Sequence, residues 1–258
     1  MNARTHGLAL VSIASVLLAL LAWYLVARFE LVDPLLLPGP LAVLDTGLEL
    51  WRDGYRQVPF LTHVAVSVAR GLVAFAAAAV IGVPLGLLMG RQPLVAAVLD
   101  PFVQLLRPMP KLALIPLVIV WFGIGEFSKF FLIFLATLLT VVVSAAAAVQ
   151  SVPVGRIRAA QSLDASERQL FRHVILPSAV PDIFTGVRVA IGIGWTTLIA
   201  AEMIASSSGL GWMVMNASSY LRTDVVMLGI VLLGGIGYLL DLALVQLQRR
   251  TVHWTGRA

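Results

Sequence analysis

Long runs of apolar residues dominate this sequence and limit what the chain can fold into. Six segments of about 20 mostly apolar residues recur along its 258 residues, and each is about long enough to cross the hydrocarbon core of a bilayer. They are residues 8–27, 71–90, 94–122, 130–149, 183–205 and 225–247. Only 12% of the residues are charged, against roughly a quarter in soluble domains. The sequence therefore predicts an all-α membrane protein, a single domain over residues 1–258 with six transmembrane helices.

Two of the runs depart from a plain span. The first, 8–27, follows a basic start that is also typical of a signal peptide. The run is longer than the apolar core of a signal peptide, and no small-x-small cleavage site follows it. We therefore expect an uncleaved span. The third contains Pro108, Pro110 and Pro116 within "RPMPKLALIP". Such a break is tolerated at membrane depth only where protein or water satisfies the freed backbone groups.

The basic residues predict the orientation of the spans, because positive charge is enriched in cytoplasmic loops. With a cytoplasmic N-terminus, the basic residues inside are Arg4, Arg91, Arg107, Lys111, Arg156, Arg158, Arg168, Arg172, Arg249, Arg250 and Arg257. Those outside are Arg28, Arg52, Arg56, Arg70, Lys129 and Arg222. We therefore expect both termini on the cytoplasmic side of the membrane. The net charge of +5 is spread over loops and does not indicate nucleic-acid binding.

Two further segments have a structural interpretation. "PGPLAVLDTGLELWRDG", between the first two spans, is typical of a short amphipathic helix on the outer membrane surface. In the second span, Gly82, Gly86 and Gly90 recur every four residues. Small residues at this spacing let helices approach closely, so we expect them to serve packing.

A charge-rich loop, residues 150–182, stands between two apolar runs. Its helix-forming residues predict two short helices, 156–163 and 165–174, the second ending before "ILP". Leu170 and Val174 share a face of the second helix, while its charged residues point elsewhere. The pattern favours either a docking element that projects from the membrane or a solvated connector.

The same loop resembles the EAA loop of ABC importer permeases, whose pattern is Glu-Ala-Ala, three residues, Gly and, about nine residues on, Ile-x-x-Leu-Pro. The positions that fit are Ala159, Ala160, Leu163, Ala165, Ile175, Leu176 and Pro177. Two positions depart, since Arg158 replaces the Glu and Asp164 the Gly. The Gly allows a left-handed turn, which Asp also adopts at some cost. The resemblance implies that the loop is a coupling helix docked on a separate ATPase.

The resemblance extends over nearly the whole chain. "LRPMPKLALIPLVIVWFGIGEFSK" and "SSGLGWMVMNASSYLRTDVVMLGI" are similar to the branch that imports nitrate, aliphatic sulfonates and taurine, and "RIRAAQSL" and "GIGWTTLIAAEMIA" most resemble taurine permeases. This implies a homodimer of permeases in the inner membrane of a bacterial cell, with two ATPase subunits and one external binding protein. It implies taurine or another aliphatic sulfonate as the substrate, with nitrate, bicarbonate, cyanate or a thiamine precursor as alternatives.

The chain has no ATP site of its own that the sequence can identify. A phosphate-binding loop needs Gly-Lys-Ser/Thr, and neither Lys111 nor Lys129, the two lysines, has that context. We therefore expect the chain to bind no cofactor and to be no enzyme, with ATP and Mg²⁺ held by the partner ATPase.

Two other classes of protein fit less well. A secondary transporter would use ionisable residues at bilayer depth, for which Glu202 and Asp241 are the candidates, but no inverted repeat is apparent. A membrane enzyme lacks support, because the chain has no cysteine, no G-x-S-x-G elbow and four histidines without a metal-like partner three or four residues on. The sequence therefore predicts no metal site.

A sulfonate path needs hydroxyls and transient cations without a deep trap. "GIGWTTLIAAE" in the fifth span offers Trp195, Thr196 and Thr197, although the same residues also suit packing and bonds to their own backbone. The path candidates are Trp195, Thr196, Thr197, Glu202, Arg107 and Arg188, of which the two arginines also suit anchoring at headgroups. Glu126 and Lys129, in a predicted external loop, are candidate contacts for the binding protein.

Overall fold

The computed structural model describes residues 3–254, with side chains from residue 11 onward. This part of the chain is helical apart from turns and one isolated bridge between Tyr55 and Val58, which confirms the predicted all-α class. Its helices are α1 Ala3–Arg28, α2 Pro40–Asp53, α3 Phe60–Arg91, α4 Pro93–Leu106, α5 Ile115–Phe122, α6 Glu126–Gln150, α7 Val154–Ser162, α8 Glu167–Ala205, α9 Leu210–Ser219 and α10 Thr223–Thr251. Arg257 and the side chain of Arg4, both counted as cytoplasmic, lie outside what is described.

Five of these helices are long and apolar enough to cross a membrane, and a bent pair supplies a sixth candidate. The helices are longer than the predicted apolar runs, because α3 begins at Phe60 and α8 at Glu167. Arg70, assigned to an external loop, therefore lies within α3. Helix α9, Leu210–Ser219, was not predicted.

The third apolar run is broken, as its prolines indicated. Helix α4 and the segment Lys111–Phe122, which opens with a 3-10 turn and continues as α5, meet at 87°. Pro110 has no N–H and leaves the carbonyl oxygen of Leu106 without its helical partner. Nζ of Lys111 lies 3.2 Å from this oxygen and also donates to the carbonyl oxygen of Arg107. The ammonium group thus satisfies the backbone at the break, as the membrane setting requires.

Helix α6 is the centre of the bundle, with α3 on one side and α8 on another. Its contact with α3 is as close as backbones allow. A Cβ added at Gly86 would lie 2.5 Å from the carbonyl oxygen of Val142, and one at Gly90 would lie 2.7 Å from that of Ala146. These distances are shorter than any van der Waals contact, which confirms that the four-residue glycine spacing serves packing.

The N-terminal helices lie at the edge of the bundle. Helix α2 confirms the predicted short amphipathic helix, and it buries Val43, Thr46 and Leu50. Helix α1 contacts α2 and presents most of its apolar side chains outward. Nε1 of Trp23 donates to the carbonyl oxygen of Pro38 at 3.1 Å, which ties α1 to the chain that leads into α2.

Candidate functional site

The loop between α6 and α8 folds as a helix, a tight turn and a second helix start. Helix α7 ends at Ser162, and Asp164 then adopts a left-handed conformation with φ of 58°. The N–H of Ala165 donates back to the carbonyl oxygen of Ala160 at 3.2 Å, which closes the turn. Ser166 caps α8, with Gln169 completing the capping box. Asp164 therefore occupies the turn position where the family pattern has Gly.

The two sides of this loop differ in exposure. Ile157 and Ala160 are partly buried and pack against the cluster of Ala148, Leu170 and Ile175. Arg158, Ala159 and Leu163 are exposed, and Leu163 is 83% exposed although it is apolar. Of the predicted coupling residues, these three and Asp164 form the outward surface. Those that attach the loop to the bundle are Ala160, Ala165, Ile175, Leu176 and Pro177.

The structure corrects the prediction of a separate second short helix, because α8 runs from Glu167 to Ala205 without a break. It passes two prolines after a π-helical segment, Phe171–Ile175. Pro181 leaves the carbonyl oxygen of Pro177 without its helical partner, and Nε1 of Trp254 donates to that oxygen at 3.1 Å. A side chain from beyond the last helix thus replaces the missing backbone bond.

A second set of contacts ties the loop to α3. Nη2 of Arg91 lies 3.3 Å from a carboxylate oxygen of Glu167 and 3.2 Å from its carbonyl oxygen. The same guanidinium lies over the ring of Phe171, 4.7 Å from its centroid. The start of α8 is therefore attached to the end of α3, next to the exposed surface of α7.

At the opposite end of the bundle, Glu202 is the centre of a buried polar cluster. Its carboxylate is fully buried and accepts hydrogen bonds from Ser67 Oγ at 2.8 Å and 2.9 Å and from the N–H of Gly211 at 2.9 Å. Nη1 of Arg70 donates to the same carboxylate at 2.7 Å. Glu202, predicted to line a path, is thus enclosed by α3, α8 and α9.

Arg70 extends this cluster to the start of α6. Its Nε and Nη2 donate to the two carboxylate oxygens of Glu126 at 2.7 Å and 2.6 Å, and Lys129 donates to Glu126 at 2.8 Å. Glu126 remains 66% exposed, whereas the side chain of Lys129 is only 6% exposed. Of the two predicted binding-protein contacts, the structure therefore presents Glu126 at the surface and turns Lys129 inward.

His63 connects this cluster to the segment after α2. Its Nδ1 accepts a hydrogen bond from the N–H of Gly209 at 3.1 Å, so the proton of the neutral ring lies on Nε2, which faces the carbonyl oxygen of Tyr55 at 3.4 Å. The ring stacks on Trp212 with centroids 5.6 Å apart. Burial raises the pKa of Tyr55, which keeps its hydroxyl protonated as a donor to Asn216 at 2.9 Å.

The sequence did not predict the roles of His63, Ser67 and Arg70 in this cluster. Arg70 stands 132 residues from Glu202, so no local spacing relates the two. One signal was available, since Ser67 and Arg70 follow His63 at helical spacing before an apolar run. Within residues 3–254, no three His, Cys, Asp or Glu side chains are grouped as a metal site requires.

The predicted path residues of the fifth span are divided between core and surface. Trp195 is buried, and its Nε1 donates to the carbonyl oxygen of Leu233 in α10 at 3.1 Å. Thr197 is buried and Thr196 is exposed, and both hydroxyls donate to the carbonyl oxygen of Ile193, at 2.9 Å and 2.8 Å. Thr196 is therefore the member of this stretch that stands on an open face.

Arg188 forms an ion pair with Asp241, which joins α8 to α10. Its Nε and Nη2 donate to the two carboxylate oxygens at 2.7 Å and 2.8 Å. The side chains are 33% and 42% exposed. Arg107, the other predicted cation of the path, is exposed at the break between α4 and α5.

Comparison with known proteins agrees with this arrangement. Residues 82–253 match the family described as the binding-protein-dependent transport system inner membrane component. The taurine transport system permease protein of Escherichia coli is 47% identical over 95% of this chain and 90% of the relative. The putative aliphatic sulfonates transport permease protein of the same species is 38% identical over 90% of this chain and 87% of the relative. The nitrate import permease protein of Synechocystis sp. is 32% identical over 80% and 76%.

A solved structure resembles this fold as well. The MetNI methionine ABC transporter in an inward-facing conformation contains a chain that superposes with a TM-score of 0.55, over 72% of this chain and 95% of that one. The two sequences are 20% identical, so this likeness concerns the fold.

Proposed function

This chain belongs to the family of binding-protein-dependent transport system inner membrane components, and from that membership we propose that it is the permease subunit through which taurine or a related aliphatic sulfonate is imported. It is a transport subunit and a multi-pass protein of the inner membrane. The substrate rests on one observation, the 47% identity over 95% of the chain to a taurine permease. Relatives named for other aliphatic sulfonates and for nitrate are less similar, at 38% and 32%.

The energy for import comes from a partner in this proposal. The sequence has no phosphate-binding loop, and α7 presents a small exposed surface centred on Ala159 and Leu163 at the end of the bundle. Two copies of the permease assemble with two ATPase subunits, which hold ATP and Mg²⁺, and with one external binding protein. The family name, which specifies dependence on a binding protein, supports this composition.

The coupling surface is the outward side of α7 and its turn. Leu163 is a large apolar side chain with no cover in the single chain, as expected of a residue that fills a pocket on a partner. Arg158 lies beside it and is exposed. Because the family pattern has Glu where this chain has Arg158, we infer that its contact on the ATPase is acidic or neutral instead of basic.

The orientation follows from the loop. With α7 on the cytoplasmic side, both termini are cytoplasmic and the Glu202 cluster lies toward the outside, where Glu126 faces the binding protein. The path for the substrate passes the open face of Thr196 and Arg188, with Arg107 at the break of the third span. The other predicted path residues of α8 are buried behind this face, and they are Trp195, Thr197 and Glu202.

Uptake of labelled taurine by intact cells tests the proposal. Cells with the gene deleted and then restored are compared, with ethanesulfonate or nitrate as unlabelled competitor and with the partner ATPase inactivated in a parallel strain. We expect taurine uptake to require both the gene and the ATPase. Ethanesulfonate should reduce this uptake, and nitrate should not. Uptake that is the same with and without the gene would contradict taurine as the substrate, and reduction by nitrate alone would favour the nitrate alternative.

A further inference from the structure

One face of α8 carries polar and small residues although this helix crosses the membrane. The exposed positions recur every three or four residues and so lie on one side of the helix, and they are Asp182, Thr185, Val189, Gly192 and Thr196. Hydrocarbon offers no partner to the Asp182 carboxylate, whereas the hydroxyls of Thr185 and Thr196 already donate to carbonyl oxygens of their own helix. We therefore infer that this face lies toward water or protein and away from lipid, which is where a substrate passes.

The Arg188–Asp241 pair stands at the edge of this face. Counted along α8, Arg188 lies six residues, about 9 Å, beyond Asp182 and five residues inside the predicted span 183–205. An ion pair that is one third to two fifths exposed adds little to the attachment of two helices. Ionisable residues inside a membrane are rare, and they commonly mark the route of a substrate or ion.

Both members of the pair keep unused bonding capacity. Among the described residues, no acceptor binds Nη1 of Arg188, since only its Nε and Nη2 donate to Asp241. Each carboxylate oxygen of Asp241 accepts one of these bonds, and a carboxylate has about four acceptor sites. The pair thus presents a cationic edge and an anionic edge side by side.

There is room in front of the pair. A Cβ added at Gly192, one turn beyond Arg188, meets no atom within 4 Å, and the same holds at Gly234 and Gly235 of α10. Tyr238, one turn before Asp241, is exposed and extends the polar rim of this space. The open space beside the Arg188–Asp241 pair, on the exposed sides of α8 and α10, is called the recess below.

We propose that this recess binds the zwitterionic substrate during its passage, with the sulfonate on Arg188 and the ammonium group on Asp241. The proposal rests on the proposed function, because taurine carries these two charges on a chain of two methylene groups. Sulfonate oxygens accept from the free guanidinium edge, and the ammonium group donates to the free lone pairs of the carboxylate. The four charges then alternate in sign around the recess.

This arrangement favours a zwitterion over a simple sulfonate. When the recess is empty, Arg188 and Asp241 neutralise each other, so no unpaired charge remains within the membrane. Taurine adds no net charge to the recess, whereas ethanesulfonate adds one negative charge next to Asp241. The site holds its ligand by few contacts, which suits a path from which the substrate must also leave.

Equilibrium binding to the complete permease–ATPase complex in nanodiscs, without the binding protein, tests this site. Labelled taurine is displaced by unlabelled taurine, by ethanesulfonate, which lacks the ammonium group, and by ethylamine, which lacks the sulfonate. We expect taurine to compete at least about tenfold better than either truncated compound, as one lost charge-assisted contact implies. Asp241→Asn should lower the affinity for taurine by about tenfold and should raise that for ethanesulfonate, because the variant removes the negative charge next to the bound sulfonate. Asp45→Asn, which alters an exposed carboxylate of α2 away from the proposed site, should change neither and is the matched control.

A double variant, Arg188→Leu with Asp241→Leu, removes both charges without leaving one unpaired, so the helices can still pack. We expect this complex to assemble and to lose taurine binding. The site would be overturned if the wild-type complex bound no taurine. It would also be overturned if Asp241→Asn or the double variant bound taurine with the affinity of the wild type. If cells take up taurine through the wild-type chain while any of these holds, only the site fails. If they take up none, the proposed function fails.

Discussion

Nη1 of Arg70 lies 2.7 Å from Oε1 of Glu202, and the two side chains are only 9% and 1% exposed. This buried ion pair joins α3 to α8 next to the N-terminal end of α9. Ser67 and the N–H of Gly211 fill the remaining acceptor sites of the carboxylate. A buried pair of this kind stabilises little relative to apolar packing, but removal of one partner leaves an uncompensated charge.

Arg70→Met should therefore lower the free energy of unfolding by about 3–5 kcal/mol. The change leaves the Glu202 carboxylate buried with two neutral donors. Glu49→Gln, which alters an ion pair with Arg222 that is exposed on both sides, should cost at most about 1 kcal/mol. Unfolding in mixed detergent micelles measures both, and equal losses for the two variants would contradict a cluster centred on Glu202.

Gly86→Ala should destabilise the bundle by about 1–3 kcal/mol, because the new methyl group would lie 2.5 Å from the carbonyl oxygen of Val142 and 2.6 Å from Cβ of Ala145. Gly155→Ala in α7 is the matched control, since nothing lies within 4 Å of its added Cβ. Alanine favours a helix over glycine by up to about 1 kcal/mol, so the control should be neutral or stabilising. The same unfolding measurement compares them.

Asp164→Gly should be tolerated in uptake and should stabilise the turn slightly, because Gly adopts a positive φ without steric cost. Asp164→Val should cost about 1–2 kcal/mol, since a β-branched side chain is disfavoured at φ of 58°. The thermal midpoint of the purified complex and taurine uptake measure the two effects. An inactive Gly variant would mean that the Asp164 carboxylate itself contacts the ATPase.

Leu163→Glu should reduce co-purification of the ATPase with the permease and abolish uptake, while membrane insertion stays normal. The side chain is 83% exposed, so its change leaves the permease fold intact and affects only a partner. Ala159→Glu, exposed on the same helix, should act in the same direction. Ala160→Glu should instead lower stability, because Ala160 packs against the bundle. Normal co-purification of Leu163→Glu would argue against α7 as the docking surface.

The purified chain without its ATPase partner should hydrolyse no ATP, since it has no phosphate-binding loop. Phosphate release by the permease alone and by the reconstituted complex is the comparison. Hydrolysis by the permease alone, at a rate that follows its concentration across purification steps, would contradict the division of labour between the subunits.

The apolar runs, the glycine repeat and the motif of the loop predicted much of this fold. The lengths of the runs gave the spans, and the four-residue repeat of Gly82, Gly86 and Gly90 gave the close contact of α3. The loop motif predicted that Asp164 adopts a left-handed turn, and its φ of 58° confirms this. These features depend on neighbours in sequence, which is why a single sequence reveals them.

Features that depend on distant partners were missed. The stretch "ILP" indicated a helix end, but α8 continues through Pro177 and Pro181. Trp254, 77 residues from Pro177, bonds the carbonyl oxygen that Pro181 frees. Arg70 was assigned to a loop because its charge interrupts an apolar run, and its partners Glu126 and Glu202 lie 56 and 132 residues away. Neither contact leaves a local pattern.

Helix α8 has 39 residues and is about 58 Å long. It runs from the capped turn at Ser166 to the buried polar cluster around Glu202. Its irregularities are the π-helical segment at Phe171–Ile175 and the backbone bond lost at Pro181, which Trp254 replaces. A displacement of the start of α8, where it meets α7, would therefore be transmitted along this helix to Thr196 and Glu202. A single helix thus connects the coupling loop at one end of the molecule with the buried polar cluster at the other.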